Sequence, residues 1–181
     1  MALTKLNNSS LAAVTSAGIP IRSGSVLQTL STTKTDSFSF AASGMQNGID
    51  IPGLTLAITP AATSSKILVI VQCAIMGSNA GQGIKLVRGS TEIALGDASG
   101  SNKPRSSTIG FYAGSGTNGV YGNGANHLNF LDSPNTTSAT TYKIQGAGYN
   151  GTFYVNRTIY DTDNFNAGRC ISTLTLMEIA G

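Results

Sequence analysis

The sequence predicts an all-β protein, an antiparallel jelly-roll-like β-sandwich with a short extended N-terminal arm, and three observations carry this prediction. About nine short segments alternate apolar and polar residues or run apolar throughout, with Gly, Pro and Asn between them. One of them, Ile67 to Met76, is apolar on both of its faces. No amphipathic helix of normal length stands before or after it, which removes the parallel α/β alternative for that segment. With 181 residues the chain can bury a sizeable core, and its length predicts one domain.

Residues 1–22 form the expected attachment arm and residues 23–181 the sandwich. The arm mixes Asn, Ser and Thr with Leu3, Leu6, Leu11, Val14, Ile19 and Ile21, and Gly18-Ile19-Pro20 opposes a helix. Its apolar side chains are expected to pack on the parent domain or plug into a partner. Strands then follow at Val26–Leu30 and at Ser37–Phe40, where alternation puts both rings on one face. Leu54–Thr59 repeats the pattern with Leu54, Leu56 and Ile58 inward, and Pro60 ends it by removing a backbone donor. In the Ile67–Met76 strand, Ile67, Val69, Val71, Cys73 and Ile75 share one face, and Leu68, Ile70, Ala74 and Met76 the other. A strand apolar on both sides calls for a covering layer or a neighbouring subunit.

Ile84–Arg88 and Thr91–Leu95 read as a hairpin whose Gly89-Ser90 loop suits a type II′ turn. A polar loop covers 98–107, a short strand 108–112, and a Gly-rich surface loop 114–126. His127–Asp132 resumes the alternation and Ser133-Pro134-Asn135 turns the chain. Tyr142–Gly148 and Thr152–Asn156 read as an antiparallel pair, and Ile171–Ile179 as the closing strand.

Charged residues make up only 10% of the chain against 40% apolar, so Gly, Ser, Thr and Asn must cover most of the surface. Such a surface suits packing against other proteins in an assembled or extracellular particle. The net charge of +3 is spread from Lys5 to Arg169, too dilute for a nucleic-acid footprint, and the tightest group, Lys103-Pro104-Arg105, sits in a Ser-rich loop. No run is long enough for a membrane-spanning helix, and the N-terminus lacks the pattern of a secretory signal. Cys73 and Cys170 are expected as thiols, with a disulfide left open because sequence spacing does not give distance.

Chemistry-bearing patterns are sparse, and neither catalysis nor a cofactor is expected. The single histidine, His127, lacks a recognisable nucleophile or orienting carboxylate and reads as a strand-edge polar residue. One histidine and two distant cysteines do not make a zinc site. Asp161-Thr162-Asp163-Asn164 offers closely spaced oxygens to a cation but lacks the glycine and terminal glutamate of a calcium loop, so a side-chain-capped turn is expected. Gly77–Gly83 lacks the Gly-Lys-Ser/Thr ending of a phosphate loop and reads as a strand-connecting turn. Asn8, Asn135 and Asn156 begin sequons, which are common by chance in so Asn- and Ser-rich a chain. Tyr112, Tyr121 and Tyr149 near loops, with Asn118 and Asn135, are the candidate glycan-facing residues, a ring and amides being what a shallow sugar site uses.

Ser25-Val26-Leu27-Gln28, Ile58-Thr59-Pro60 with Ser64-Ser65-Lys66-Ile67-Leu68-Val69, Leu86-Val87-Arg88-Gly89 and the closing Ser172–Ile179 together resemble small tail-fibre or minor virion proteins of tailed phages, especially those of aquatic and cyanobacterial hosts. The likeness covers most of residues 24–181. It implies a jelly-roll head similar to trimeric C1q or tumour-necrosis-factor-like domains, serving host attachment or virion decoration. The chain departs from a full receptor-binding fibre in its brief leader and its lack of a repetitive shaft or heptads. The expected assembly is a homotrimer joined to other capsid or tail proteins through the arm, with Ile67, Val69, Val71, Ile75, Leu174, Leu176 and Met177 as core and interface residues. The alternative is a head whose main task is binding a host surface glycan. A polysaccharide-cleaving enzyme is more remote, since it would need a productive pair among Asp97, Asp132, Asp161 and Asp163.

Overall fold

The computed structural model describes residues 22–77, 81–110 and 124–181. The arm residues Leu3, Leu6, Leu11, Val14, Ile19 and Ile21, together with Tyr112, Asn118 and Tyr121, lie outside the described residues. Nine strands are present among those described: β1 Val26–Lys34, β2 Phe38–Ile58, β3 Lys66–Gly77, β4 Gln82–Arg88, β5 Thr91–Ile93, β6 Thr108–Ile109, β7 Gly124–Asp132, β8 Thr140–Val155 and β9 Ser172–Ile179. All named pairings are antiparallel.

The strands form two layers. The first runs β1-β9-β3-β7, and the second runs β2-β8-β4, with β5 and β6 end to end along the far edge of β4. With β5 and β6 sharing one strand position, this is the eight-strand order of a jelly roll. The layers are continuous at one corner, where Ile75–Gly77 at the end of β3 pairs with Phe153–Val155 of β8.

Period-2 alternation decides what lies between the layers. From β9 come Leu174 and Leu176, from β3 Ile67, Val69, Val71, Cys73 and Ile75, from β4 Ile84 and Leu86, and from β8 Tyr142, Ile144, Phe153 and Val155. Each such aliphatic or aromatic side chain taken from water contributes about 1.5–3 kcal/mol. From β2 come Phe40, Ile51, Leu54 and Ile58; Phe40 stacks on Phe38 and Phe153, with centroids at 6.1 and 5.6 Å. Leu56, expected inward, is only partly buried and packs at the margin of this core. The β4–β5 connection is the expected type II′ turn: Gly89 has φ +60° while Ser90 keeps a negative φ, which excludes type I′.

Three expectations are corrected. Ser37–Phe40 and Leu54–Thr59 are the two ends of one strand, β2, whose register breaks between Ala42 and Gly44, Gly44 and Ile49, and Asp50 and Thr55. Gly44, Gly48, Pro52 and Gly53 look like breakers in sequence, but β2 is an edge strand paired to β8 alone, where such residues are tolerated. Tyr142–Gly148 and Thr152–Asn156 do not pair with each other; they belong mostly to the single strand β8, both parts of which pair with β2. The strand β7 begins at Gly124, inside the stretch expected to be loop.

Candidate interaction surfaces

Among the described residues, the side of the first layer turned away from the core is open over the part of β3 from Lys66 to Gln72. In β3 the apolar residues facing that way are enclosed only towards the end of the strand: Ala74 and Met76 are buried, whereas Leu68 is half-buried and Ile70 is 37% exposed. Strand register assembles these side chains into rows. Leu131, Leu68, Met177 and Thr29 stand side by side across β7, β3, β9 and β1. The next row is Asn129, Ile70, Thr175 and Ser31, and the Ser31 and Thr175 hydroxyls are hydrogen-bonded at 2.9 Å. His127, Gln72, Thr173 and Thr33 follow, and at the other end Ile179 lies between Lys66 and Val26. Lys66 is the single lysine, arginine, aspartate or glutamate in these rows, and it stands at their end.

Of the residues expected at the core or interface, Ile67, Val69, Val71, Ile75, Leu174 and Leu176 are at most 2% exposed and face the second layer. They are core residues. Met177 points to the open face, because alternation sends it the opposite way from Leu174 and Leu176. The apolar side chains left accessible in this layer are on the Leu68–Ile70–Leu131–Met177 side. The sequence signal for that face was present in the second apolar set of Ile67–Met76.

The ends of the sandwich differ. At one end the chain enters from residue 22, where Gly24 N–H donates to the Ala180 carbonyl at 2.7 Å and Ala180 N–H to the Ser25 carbonyl at 2.8 Å. Glu178, 1% exposed, anchors this end: its Oε1 accepts from the Ala61 N–H at 2.7 Å and its Oε2 from the Gln28 amide at 2.6 Å. Burial pushes the Glu178 carboxyl up, but these hydrogen bonds outweigh it and hold the group below the ordinary value.

Nearby, Tyr142 donates its hydroxyl to Asp132 Oδ2 at 2.6 Å, and Arg88 Nη1 donates to both Asp132 oxygens at 2.9 and 2.8 Å. Burial first, and then the Asp132 carboxylate, push the Tyr142 hydroxyl far above the usual tyrosine range. Above this cluster lies a shallow recess of about 290 Å³, lined by Arg88, Gly89, Pro134, Thr136 and Ala139–Thr141. Asn135, with φ +54°, is in the adjoining turn.

The opposite end carries the β8–β9 connection, residues 156–171. Asn156, φ +62° and 1% exposed, holds its base: Nδ2 donates to the Lys34 and Asp36 carbonyls at 2.8 and 3.0 Å, and Oδ1 accepts from Ser172 Oγ at 2.6 Å. Its amide is thus committed inside the fold, which disposes of the Asn156 sequon as a modification site of the folded protein. Asp161 is clasped by Arg169, at 2.9 and 2.5 Å, and by Arg157 at 3.3 Å, while Arg157 lies over the Tyr154 ring at 4.5 Å. The carboxylate suggested for a cation is already neutralised by two guanidiniums. Asn164 Oδ1 accepts from the Asn166 N–H at 3.0 Å, the side-chain-capped turn expected from sequence. This turn holds Phe165 97% exposed, with Tyr160 51% exposed nearby in the chain. In sequence Phe165 carries no more signal than an aromatic between two Asn residues with no strand pattern around it.

Tyr149, 65% exposed, lies near this end, its Cβ close to Gly81, whereas Asn135 belongs to the other end. The two described glycan candidates do not form one site. His127 is exposed on the edge strand β7. Cys73 and Cys170 form no disulfide, and burial pushes the Cys73 thiol up to about 12. Among the described residues no group of three or more His, Cys, Asp or Glu is placed to hold a metal ion, and no helix is long and apolar enough to cross a membrane.

Strand order and burial define an antiparallel β-sandwich of jelly-roll type. No protein-family model and no curated protein matches the chain. Among solved structures it is similar to the VP2 subviral particle of infectious bursal disease virus, with 12% identity and a TM-score of 0.38, over 84% of this chain and 37% of that one. Structures of the Gt and Gx strains of the same virus give 14% and 12% identity and TM-scores of 0.34 and 0.31, over 87% and 86% of this chain. The chain spans 37–43% of the length of these matched chains. At such identities and TM-scores the likeness carries no argument about function.

Proposed function

We propose that this protein is a non-enzymatic structural subunit of a virus particle, a jelly-roll head that forms a homotrimer through the open face of its first layer and is anchored to other capsid or tail proteins by residues 1–22. The observation that carries this reading is the open face itself. Val26, Leu68, Ile70, Leu131, Met177 and Ile179 stand together there among uncharged Thr, Ser, Asn and Gln, with Lys66 the one lysine, arginine or carboxylate at the end of the rows, so copies of the face can meet with little like-charge repulsion. The sparse charge of the whole chain and its resemblance to small phage fibre and minor virion proteins support the same role. The test is sedimentation velocity of the full chain beside Ile70→Lys. A trimer that falls to a monomer in the variant is expected; a wild type that stays monomeric at 100 µM overturns the trimer. A cryo-electron-microscopy map of the source particle then places the head on the capsid or at the tail.

A host-glycan recognition head is the second reading, favoured by the separation of the two ends. Residue 22 leads in at one end, while Tyr149, Tyr160 and Phe165 are exposed at or towards the other. Saturable binding to host envelope polysaccharide that is lost in Tyr149→Ala supports it, and binding unchanged in that variant removes Tyr149 from the site.

A further inference from the structure

Phe165 is the most exposed large apolar side chain among the described residues, yet the loop carrying it is fixed. The Asp161 clasp closes the loop, the Arg157–Arg169 bridge joins its limbs, and hydrogen bonds within 162–167 shape its tip. A fixed aromatic knob loses little conformational freedom on docking, the property that makes rigid rings effective anchors.

The recess at the opposite end has a mixed lining, Pro134, Ala139 and three threonines beside Arg88, whose guanidinium is already fixed by Asp132 and is a cation a phenyl ring can stack on. Stacking of cations on rings is used within this chain by Arg157 over Tyr154 and Lys34 over Phe38. The recess contains Thr140 and Thr141 at the start of β8, whereas the knob follows Val155 at its end. The base of the loop, Asn156, bonds the Ala74 carbonyl of β3, whereas Asp132 beneath the recess pairs with Ile67, about 23 Å away at the strand rise, and Phe165, 97% exposed, does not occupy the recess of its own chain.

We propose that Phe165 of one copy seats in the Arg88–Pro134–Ala139 recess of a second copy, joining the sandwiches head to tail. Such a contact is heterologous and does not close on itself, so it propagates along the long axis of the head. On a trimer it repeats three times at each junction, which makes a weak single contact effective by multivalency.

The contact is tested on the full chain by sedimentation equilibrium up to 1 mM, read as multiples of whichever closed oligomer the sheet face forms. Failure of the trimer and failure of this contact are thereby distinguishable. Phe165→Ala removes the knob and Ala139→Trp fills the recess from an exposed position. Each is expected to lower end-to-end association at least tenfold with an unchanged melting temperature. Mixing the two is expected to restore association limited to pairs, because the knob of the A139W chain still meets the open recess of the F165A chain. A wild type with no end-to-end association at 1 mM, or a mixture that associates no better than either variant alone, overturns the proposal.

Discussion

The phenyl ring of Phe153 lies directly over the Cα of Gly148, in the space where a side chain at 148 would begin, and it also covers Gly77 across the β3–β8 pairing. Phe40 covers Gly146 in the same manner, a Cβ there falling 2.6 Å from its Cζ. These rings stack on one another at the corner where the two layers join. Gly148→Ala therefore displaces a fully buried ring and is expected to cost about 1–3 kcal/mol. Chemical denaturation of G148A, F153L and the double variant checks this: the double variant should lose less than the sum of the two single losses, because the smaller side chain leaves room for the methyl group.

Glu178 makes stability depend on acid. Its folded pKa is held below the ordinary carboxylate value by the Gln28 amide and the Ala61 N–H, against the upward push of burial. A group depressed in the folded state gives stability that is complete above the unfolded pKa of about 4.5 and is lost as pH falls through the folded value. The melting temperature of the wild type should thus fall more steeply than that of Glu178→Gln below pH 4.5, and the two slopes should match above pH 6. Equal slopes through the acid range would remove Glu178 as a source of acid sensitivity.

Tyr142 acts at the alkaline end. Burial and Asp132 raise its folded pKa, so the folded protein opposes ionisation, and stability present below the unfolded value of about 10 is lost as pH rises beyond it. Tyr142→Phe also deprives Asp132 of a 2.6 Å hydrogen bond, at a cost of about 1–2 kcal/mol near neutral pH. Stability measured from pH 7 to 11 should show the gap between wild type and Y142F narrowing above pH 10; a constant gap argues against coupling to this hydroxyl.

Where packing and backbone geometry agreed with local pattern, the sequence was readable. The Ile67–Met76 segment, the Gly89-Ser90 turn and the Ile171–Ile179 strand lie within one or two residues of where alternation and turn chemistry put them. The Gly146-Ala147-Gly148-Tyr149-Asn150-Gly151 stretch misled because Gly146 makes room for Phe40, remote in sequence, and Gly148 for Phe153 further along the same strand, and neither for a turn. The open face was legible as a second apolar set in β3, but assigning Leu174 and Leu176 to the core and Met177 to the surface needed the side of β9 that faces the second layer. Phe165 was not legible at all: an exposed ring and a buried one look alike in sequence when no strand period surrounds them.

Asn156 joins three parts of the chain that sequence places far apart, the β1–β2 turn through Lys34 and Asp36, β3 through its N–H to the Ala74 carbonyl at 3.1 Å, and β9 through Ser172. Asn156→Ala strands those buried partners and puts a Cβ-only residue at φ +62°, so a loss of about 2–4 kcal/mol is expected. Asn156→Gly relieves the backbone alone and should recover about 1 kcal/mol of it. Urea denaturation of the two variants separates the contributions, and equal losses would mean that the left-handed backbone costs nothing here.

Asp161 holds the Phe165 loop closed without supporting the core. Its partners are partly exposed, Arg169 at 56% and Arg157 at 21%, so solvent screens the pairs and Asp161→Ala should change global stability by less than about 1 kcal/mol. What it removes is the link between the limbs of the loop. Chymotrypsin cleaves after aromatic residues in chain that can adapt to its cleft, so cutting at Phe165 should be slow in the wild type, whose tip is held by the clasp and by the Asn164 turn. Cleavage at Phe165 is expected to accelerate about tenfold in D161A while cleavage elsewhere stays at the wild-type rate. Equal rates at Phe165 in both proteins would show that the Asn164 turn alone fixes the tip, whereas acceleration at every site would mean that Asp161 supports the whole sandwich.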